Sequence, residues 1–208
     1  MTRAFDLPKL VVATHNRGKA GEIRAMLKPF GVTIVSAGEL GLPAPDETGT
    51  TFEENAALKA LAATRGSGLP ALADDSGLSV HALGGEPGVY TADWEGPTRD
   101  AMVGMQRIQE EFVKRGVPDT DAARTATFQC TLALAWPDAH VELFQGKLDG
   151  RIVWPPRGTG GHGYDPCFQP LGQKGGETRT TAEMTDAEKN AISHRGRAFR
   201  SMVEACFR

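Results

Sequence analysis

A chain of 208 residues with 40% hydrophobic side chains can bury one sizeable core, and we expect a single domain over residues 1–208. The formal net charge of -3 gives no global basic field for a nucleic-acid backbone, so nucleic acid is not an expected partner. No apolar run reaches the ~18 residues that span a bilayer, so no membrane association is expected. The three widely spaced cysteines match no disulfide or zinc pattern and fit reduced thiols in the cytoplasm.

The first part of the chain alternates apolar runs with helical patterns. These patterns predict a strand at 9–13, a helix at 19–30, a strand at 32–36, a helix at 51–64 and a short strand at 71–73. Thr51 and Glu54 have the spacing of a capping box, which places the start of the second helix. Lys59 lies five residues after Glu54, so these two side chains do not share one helix face closely.

Strands cluster in the second part of the chain. The sequence predicts a helix at 99–115, a hairpin of strands 125–136 and 140–146, a third strand at 147–154, a glycine-rich loop at 158–163 and helical sequence at 186–207. Ser193 is placed to break the last segment and cap a second helix. Alternation followed by clustering predicts an α/β fold with a mixed sheet.

Two adjacent carboxylates, Asp74 and Asp75, end an apolar run and are followed by Ser76 and Gly77, which we interpret as a turn. In phosphate chemistry, Mg²⁺ is held by one or two carboxylates together with phosphate oxygens and water. Side chains of adjacent residues on extended backbone point to opposite sides, so only one carboxylate need face a substrate. The alternative is an ordinary polar turn.

Two earlier segments fit the same chemistry. Residues 14–19 form a strand-to-helix turn, where free N–H groups and Lys19 would attract an anion. Asp46 and Glu47 offer hard oxygen ligands for Mg²⁺. Taken singly, these segments also fit a capped turn and a solvated acidic loop.

Two later segments would suit the other end of a nucleotide. In residues 160–166, glycines allow close backbone approach, an aromatic ring could stack on a base, and Asp165 could accept hydrogen bonds from a base edge. Lys189 and Arg195 could converge on one ligand if the helix breaks at Ser193, with Arg195 in the first turn of the second helix. The alternatives are a tight turn with a packed Tyr164 and an exposed basic helix face.

In order along the chain, these segments resemble the inosine triphosphate pyrophosphatase family from residue 9 to about 207. The matching strings are Thr14-x-Asn16-x-x-Lys19, Glu47-Thr48-Gly49-x-Thr51-Phe52-x-Glu54-Asn55-Ala56, Ala73-Asp74-Asp75-Ser76-Gly77-Leu78, Gly163-Tyr164-Asp165-Pro166 and Ser193-His194-Arg195. The resemblance implies hydrolysis of non-canonical purine nucleoside triphosphates (ITP, dITP and XTP) to the monophosphate and pyrophosphate. It also implies an elongated two-lobed fold around a central mixed β-sheet with the active-site cleft between the lobes, a homodimer and a Mg²⁺ cofactor.

The resemblance implies a set of site residues. Asp75 would be the general base and a metal ligand, and its partner in holding the metal would be Asp46 or Glu47. The residues expected to contact substrate are Thr14, His15, Asn16, Arg17, Gly18, Lys19, Ser76, His162, Gly163, Tyr164, Asp165, Lys189, His194 and Arg195.

Some positions depart from the family pattern. His162 stands where many relatives have Phe, and His15 replaces a frequent Gly. The segment 92–94 reads Ala-Asp-Trp where relatives often have Ala-Arg-Tyr. Two other functions compete with the pyrophosphatase: a general nucleotide phosphatase, which would release orthophosphate, and a nucleotide-binding module without catalysis.

Overall fold

The computed structural model describes residues 2–15 and 17–207, and it describes side chains at all of these positions except 17–19 and 22. Within them it contains seven strands: β1 Lys9–Val12, β2 Thr33–Ser36, β3 Ala71–Val80, β4 Pro87–Gly88, β5 Thr125–Ala135, β6 Val141–Ile152 and β7 Phe168–Pro170. The α-helices are α1 Arg17–Leu27, α2 Phe52–Ser67, α3 Ala101–Lys114, α4 Asp186–Ile192 and α5 His194–Cys206. None of the helices in this part of the chain is long and apolar enough to cross a membrane.

The strands form one mixed sheet in the order β2-β1-β3-β5-β6-β7, and β4 pairs with β3. β1 runs parallel to β2 and to β3, since α1 and α2 provide the long crossovers that parallel pairing needs. β4 is antiparallel to β3, and β7 is antiparallel to β6. The α/β class and the mixed sheet predicted from the sequence are therefore confirmed.

The chain divides into two compact units. The described residues of Met1–Asp75, Cys130–Gln145 and Ala198–Arg208 form the first, and Ser76–Gln129 with Gly146–Arg197 forms the second. Each unit has its own apolar core. Fully buried members of the first core include Leu10, Leu27, Leu72, Leu134 and Met202, and those of the second include Leu78, Val80, Ile108, Phe112 and Phe168.

Residues 74–77 continue β3, and the turn expected at this point is wrong. β3 pairs with β1 through Ala71 and Leu72 and with β4 through Leu78 and Ser79. Pairing before and after the segment keeps the backbone extended, so tertiary contacts override the turn preference of Asp-Ser-Gly. The separate strand expected at 147–154 is also wrong, because residues 147–152 are the second half of β6.

The end of the chain follows the sequence pattern closely. Thr185 and Glu188 form a capping box at the start of α4. Ser193 then leaves the helical conformation, and its hydroxyl accepts a hydrogen bond from the backbone N–H of Gly196 at 3.0 Å. The predicted break between two helices is thus confirmed, and it places Arg195 in the first turn of α5.

Candidate active site

Lys59 joins two carboxylates in the first unit. Its Nζ lies 2.8 Å from Oδ1 of Asp75 and 3.0 Å from Oε1 of Glu47. The side chains of Lys59 and Asp75 are only 14% and 11% exposed, so this ion pair is largely removed from water. Oδ2 of Asp75 is buried and has no hydrogen-bond partner among the described residues. Two carboxylates share one ammonium, and one carboxylate oxygen remains open to a further donor or cation.

The pKa values of both Asp75 and Lys59 are raised above their ordinary values. Burial raises the pKa of Asp75, the hydrogen bond and charge of Lys59 oppose the rise, and the charge of Glu47 adds to it. Burial alone would lower the pKa of Lys59, but the hydrogen bonds and charges of Asp75 and Glu47 outweigh it and raise that pKa. Lys59 therefore stays protonated, while Asp75 accepts a proton more readily than an ordinary aspartate.

The residues at the start of α2 position this cluster. Thr51 and Glu54 form the predicted capping box. In the next position Asn55, which is 2% exposed, accepts a hydrogen bond from the N–H of Gly49 at 2.8 Å. A Cβ at Gly49 would overlap the Asn55 side chain, so this close turn requires glycine. Asn55 and Lys59 are four residues apart and share one face of α2. Both side chains act to lower the pKa of Asp75 against the effect of its burial.

A pocket of about 220 Å³ lies beside the cluster in the first unit. Thr14, His15, Glu47, Lys59 and Asp74 are among the residues that line it. The pocket thus combines an ammonium with carboxylates and a hydroxyl, a set suited to holding a charged ligand with a bound cation.

The predicted site residues of the first unit differ in where the structure places them. Glu47 reaches the cluster of Asp75 and Lys59, whereas Asp46 is exposed and makes no hydrogen bond or ion pair with any residue described in the structure. His15 lines the pocket, but its Nε2 lies 2.8 Å from the carbonyl oxygen of Leu42, so this nitrogen donates to the loop. Asn16 and the side chains at 17–19, all predicted to contact substrate, lie outside the described residues.

Asp165 forms a second carboxylate cluster, in the second unit, and is 3% exposed. Its Oδ1 accepts a hydrogen bond from the hydroxyl of Thr181 at 2.7 Å, and its Oδ2 accepts one from the N–H of His162 at 2.6 Å. Oδ2 also accepts a short hydrogen bond from the ammonium of Lys189. Donors of the protein itself thus reach both oxygens of this carboxylate, and its contact with a base edge stays a prediction.

Tyr164 lies in the core of the second unit, where it is 2% exposed. Its hydroxyl donates to the carbonyl oxygen of Thr91 at 2.9 Å, and its ring packs so closely on α3 that a Cβ at Gly104 would overlap it. The alternative of a packed tyrosine is therefore the right one for this side chain, and stacking on a base is corrected. Neighbouring His162 is exposed and Gly163 is partly exposed, so this loop still offers contacts to a ligand.

Arg195 and His194, at the start of α5, carry the remaining predicted contacts. A guanidinium N–H of Arg195 donates to the hydroxyl of Ser76 at 3.1 Å. The ring of His194 stacks on Phe128, with centroids 5.1 Å apart and an angle of 22° between the planes. Phe128 packs on Phe168 in turn, with centroids 4.1 Å apart. The core of the second unit thus orients His194, and the hydrogen bond joins Arg195 and Ser76 in one polar group.

Comparison with known proteins identifies the family of this chain. Residues 10–205 match the model of the Ham1 family, and the chain belongs to that family. It is 53% identical to the dITP/XTP pyrophosphatase of Rhizobium meliloti (strain 1021), with 99% of each chain covered.

Two solved structures share the fold. A HAM1 protein from Coxiella burnetii is 36% identical with a TM-score of 0.86, and the likeness covers 95% of this chain and 98% of that one. A nucleoside-triphosphatase / dITP/XTP pyrophosphatase from Mycobacterium abscessus is 37% identical with a TM-score of 0.78, and the likeness covers 94% and 98% of the two chains.

Sequence reasoning missed Lys59, Asn55 and Thr181. A signal for Lys59 was present, because its spacing of four residues from Asn55 places the two side chains on one helix face. Lys59 was paired with Glu54 instead of Asn55 in the sequence analysis. Glu54 belongs to the capping box of α2 and does not take part in this cluster. No local pattern points to Thr181, whose partner Asp165 lies sixteen residues away in the chain.

Proposed function

We propose that this chain hydrolyses non-canonical purine nucleoside triphosphates, namely ITP, dITP and XTP, to the nucleoside monophosphate and pyrophosphate. Membership of the Ham1 family and the dITP/XTP pyrophosphatase relatives support the substrate class. The observation that carries the chemistry is Asp75, a buried carboxylate with one oxygen held by Lys59 and the other without a partner among the described residues.

Asp75 is the general base of the proposed reaction. A water oxygen attacks the α-phosphorus, the bond from that phosphorus to the bridging oxygen breaks, and pyrophosphate leaves with the electron pair. The proton of the water goes to the carboxylate of Asp75. Lys59 keeps its positive charge beside the site and stabilises negative charge that develops on the phosphates.

We assign Mg²⁺ to the pair formed by Asp75 and Glu47, and the donor set fits this ion. Both side chains offer hard oxygens, and Oδ2 of Asp75 is buried without a hydrogen-bond partner in the described part of the chain. No group of three His, Cys, Asp or Glu that could hold a metal occurs among the described residues. Mg²⁺ commonly takes only one or two carboxylates and completes its shell with phosphate oxygens and water. When bound, it would neutralise part of the triphosphate charge.

Recognition of the base is assigned to donors of the second unit. Hypoxanthine and xanthine carry a 6-oxo acceptor where adenine has an amino donor. Arg195, His194 and Lys189 offer N–H donors that match the oxo group. An adenine amino group would leave such a donor unpaired, and an unmatched buried polar group can reduce kcat/KM by about 10⁴-fold.

A steady-state panel of ITP, dITP, XTP, GTP and ATP with Mg²⁺ tests this function. The expected result is pyrophosphate from the first three nucleotides and much slower turnover of ATP. Orthophosphate as the first product would instead identify a general nucleotide phosphatase, and comparable rates on ATP would remove the substrate assignment. A chelator should stop pyrophosphate release and added Mg²⁺ should restore it; turnover that persists in the chelator would refute the metal assignment.

We further propose that the chain is one functional domain, acts as a homodimer and resides in the cytoplasm. The second unit exposes apolar side chains that a partner subunit could cover, including Tyr90, Met102 and Val103. All three cysteines are free and buried, which fits a reducing compartment. Light scattering in solution should give about twice the mass of one chain, whereas a single-chain mass at micromolar concentration would exclude the dimer.

A further inference from the structure

Thr181 is buried against the carboxylate of Asp165 and has no assigned role in the proposed reaction. Its side chain is 1% exposed, and its hydroxyl lies 2.7 Å from Oδ1 and 3.1 Å from the backbone oxygen of Asp165. A hydroxyl has one proton to donate, and a carboxylate is the stronger acceptor. The hydroxyl therefore donates to Oδ1.

The other oxygen of Asp165, Oδ2, contacts the groups that are proposed to bind the base. Oδ2 accepts from the N–H of His162 and from the ammonium of Lys189. The chain wraps so tightly around this oxygen that a Cβ at Gly161 would overlap it. One carboxylate thus ties together three separate segments: the turn that contains Thr181, the glycine-rich loop and helix α4.

The hydroxyl of Thr181 fixes the rotation of this carboxylate. A carboxyl group turns easily about its last side-chain bond, and its two-fold torsion is broad. Both other contacts fall on Oδ2, so only Thr181 holds Oδ1 among the contacts described for the side chain. Without the hydroxyl, Oδ1 would be buried and unpaired in a residue that is 3% exposed, and the carboxylate would turn to find another donor. Lys189 and the backbone of His162 would then lose their common anchor.

We propose that Thr181 is a positioning residue for base recognition: it orients Asp165, which holds Lys189 and the His162 loop in the arrangement that binds the purine. This inference rests on the proposed function. It assigns to Thr181 an effect on substrate affinity and base selectivity, and none on the proton transfer at Asp75.

Thr181→Val tests the inference, since valine keeps the branched shape and replaces the hydroxyl with a methyl group. We expect the KM for dITP to rise about tenfold, with kcat within about threefold of the unaltered protein, because a hydrogen bond to a charged group is lost from the binding step. The ratio of kcat/KM for dITP to that for dATP should fall by a similar factor. Thr181→Ser keeps the hydroxyl and should restore KM and selectivity to near those of the unaltered protein.

A merely structural role predicts a different result. Thr181→Val would then lower the unfolding temperature and the active fraction, seen as a lower kcat, with KM and selectivity unchanged; that outcome overturns the proposal. If the valine variant does not fold, Thr181→Ala compared with Thr181→Ser isolates the hydroxyl on a smaller side chain. Failure of the unaltered protein to release pyrophosphate from dITP would refute the proposed function, whereas an active protein with unaffected Thr181 variants would refute this inference alone.

Discussion

The two units each contain a buried aspartate paired with a lysine, and the two pairs differ in what the remaining carboxylate oxygen does. In the first unit, Lys59 holds Oδ1 of Asp75, and Oδ2 has no hydrogen-bond partner among the described residues. In the second unit, both oxygens of Asp165 are held, one by Thr181 and the other by Lys189 and a backbone N–H. The same two residue types thus form an open cluster in one unit and a closed one in the other.

This difference indicates that Asp75 is available for chemistry, whereas Asp165 holds other residues in place. A buried carboxylate with an open oxygen can still bind a cation or accept a proton, and burial has already raised the pKa of Asp75. A buried carboxylate whose oxygens both accept hydrogen bonds from the protein has less capacity left for a cation or a proton. We therefore assign chemistry to the open cluster and the positioning of ligand-binding groups to the closed one.

The largest expected effect is that of Asp75→Asn, with Asp165→Asn as its matched control. Asparagine cannot accept the proton, so turnover of dITP should fall by about 10³-fold or more while nucleotide binding persists. Above its raised pKa, ionisation of Asp75 costs folding free energy, so the unfolding temperature of Asp75→Asn at pH 7 should be no lower than that of the unaltered protein. Steady-state kinetics, calorimetric titration with dITP and thermal melting give the three measurements.

Asp165→Asn should behave in the opposite way. It removes the charge that Lys189 pairs with inside the protein, so the melting temperature should fall and KM should rise more than kcat falls. An equal loss of kcat in the two variants would contradict the assignment of chemistry to Asp75 and of positioning to Asp165.

Lys59→Met should have the next largest effect. It leaves Glu47 and Asp75 without their shared cation, so the pKa of Asp75 should rise further and the acid limb of the pH–rate profile should move to higher pH. Loss of the positive charge near the phosphates should lower kcat about 100-fold.

Lys189→Met is the control for Lys59→Met, because it removes the same charge from the closed cluster. It should raise KM and leave the acid limb in place. A shift of the acid limb in both variants would mean that net charge, and not local pairing, controls Asp75.

A smaller effect is expected from His15, which holds a wall of the pocket beside the open cluster. His15→Ala removes the hydrogen bond to the carbonyl oxygen of Leu42 and should raise KM about fivefold, since one such bond contributes about 1 kcal/mol. His15→Gln can donate from its amide to the same carbonyl and should recover most of the loss. If both variants raise KM equally, the imidazole contacts substrate and does not act through the loop.

The smallest effect concerns the helix caps, where each unit has a capping-box glutamate. The hydrogen bond from Arg179, followed by those from Thr185, lowers the pKa of Glu188 from 4.5 to about 2. A carboxylate with a depressed pKa in the folded state contributes stability above pH 4.5, and this contribution is lost as the pH falls towards about 2. Glu188→Gln should therefore flatten the decline of melting temperature over this range.

Glu54→Gln is the comparison variant in the first unit. The pKa of Glu54 is lowered chiefly by the backbone N–H of Thr50, without a guanidinium partner. We expect the same sign and a smaller change than for Glu188→Gln. A larger change at Glu54 would show that the cap, and not Arg179, dominates acid stability.

Local sequence predicted much of the fold because its signals act over a few residues. The capping boxes at Thr51 and Thr185 and the break at Ser193 were all found where the pattern placed them. The path of residues 74–77 could not be found in this way. A Ser-Gly pair favours a turn when considered alone, and only pairing with β1 and β4 keeps it extended.

In the candidate site too, some assignments followed from the sequence and others required the tertiary structure. The pair Asp74 and Asp75 was selected from the sequence because two carboxylates at the end of an apolar run suit phosphate chemistry, and the family resemblance then singled out Asp75. The choice of Glu47 over Asp46 required the position of Lys59, which contacts the one and not the other. The family resemblance assigned Tyr164 to substrate, although the loop pattern fitted a packed tyrosine equally well. Its packing against Gly104 is a tertiary contact that no local pattern reveals.

By itself the sequence determined the α/β class, most helix boundaries and the residue types available for phosphate chemistry, because helix caps and hydrophobic periodicity are properties of neighbouring residues. The tertiary structure alone decided which carboxylate is open and which is closed. That distinction depends on donors from distant parts of the chain, such as Lys59 for Asp75 and Thr181 for Asp165. A buried polar atom takes its role from whether such a donor reaches it.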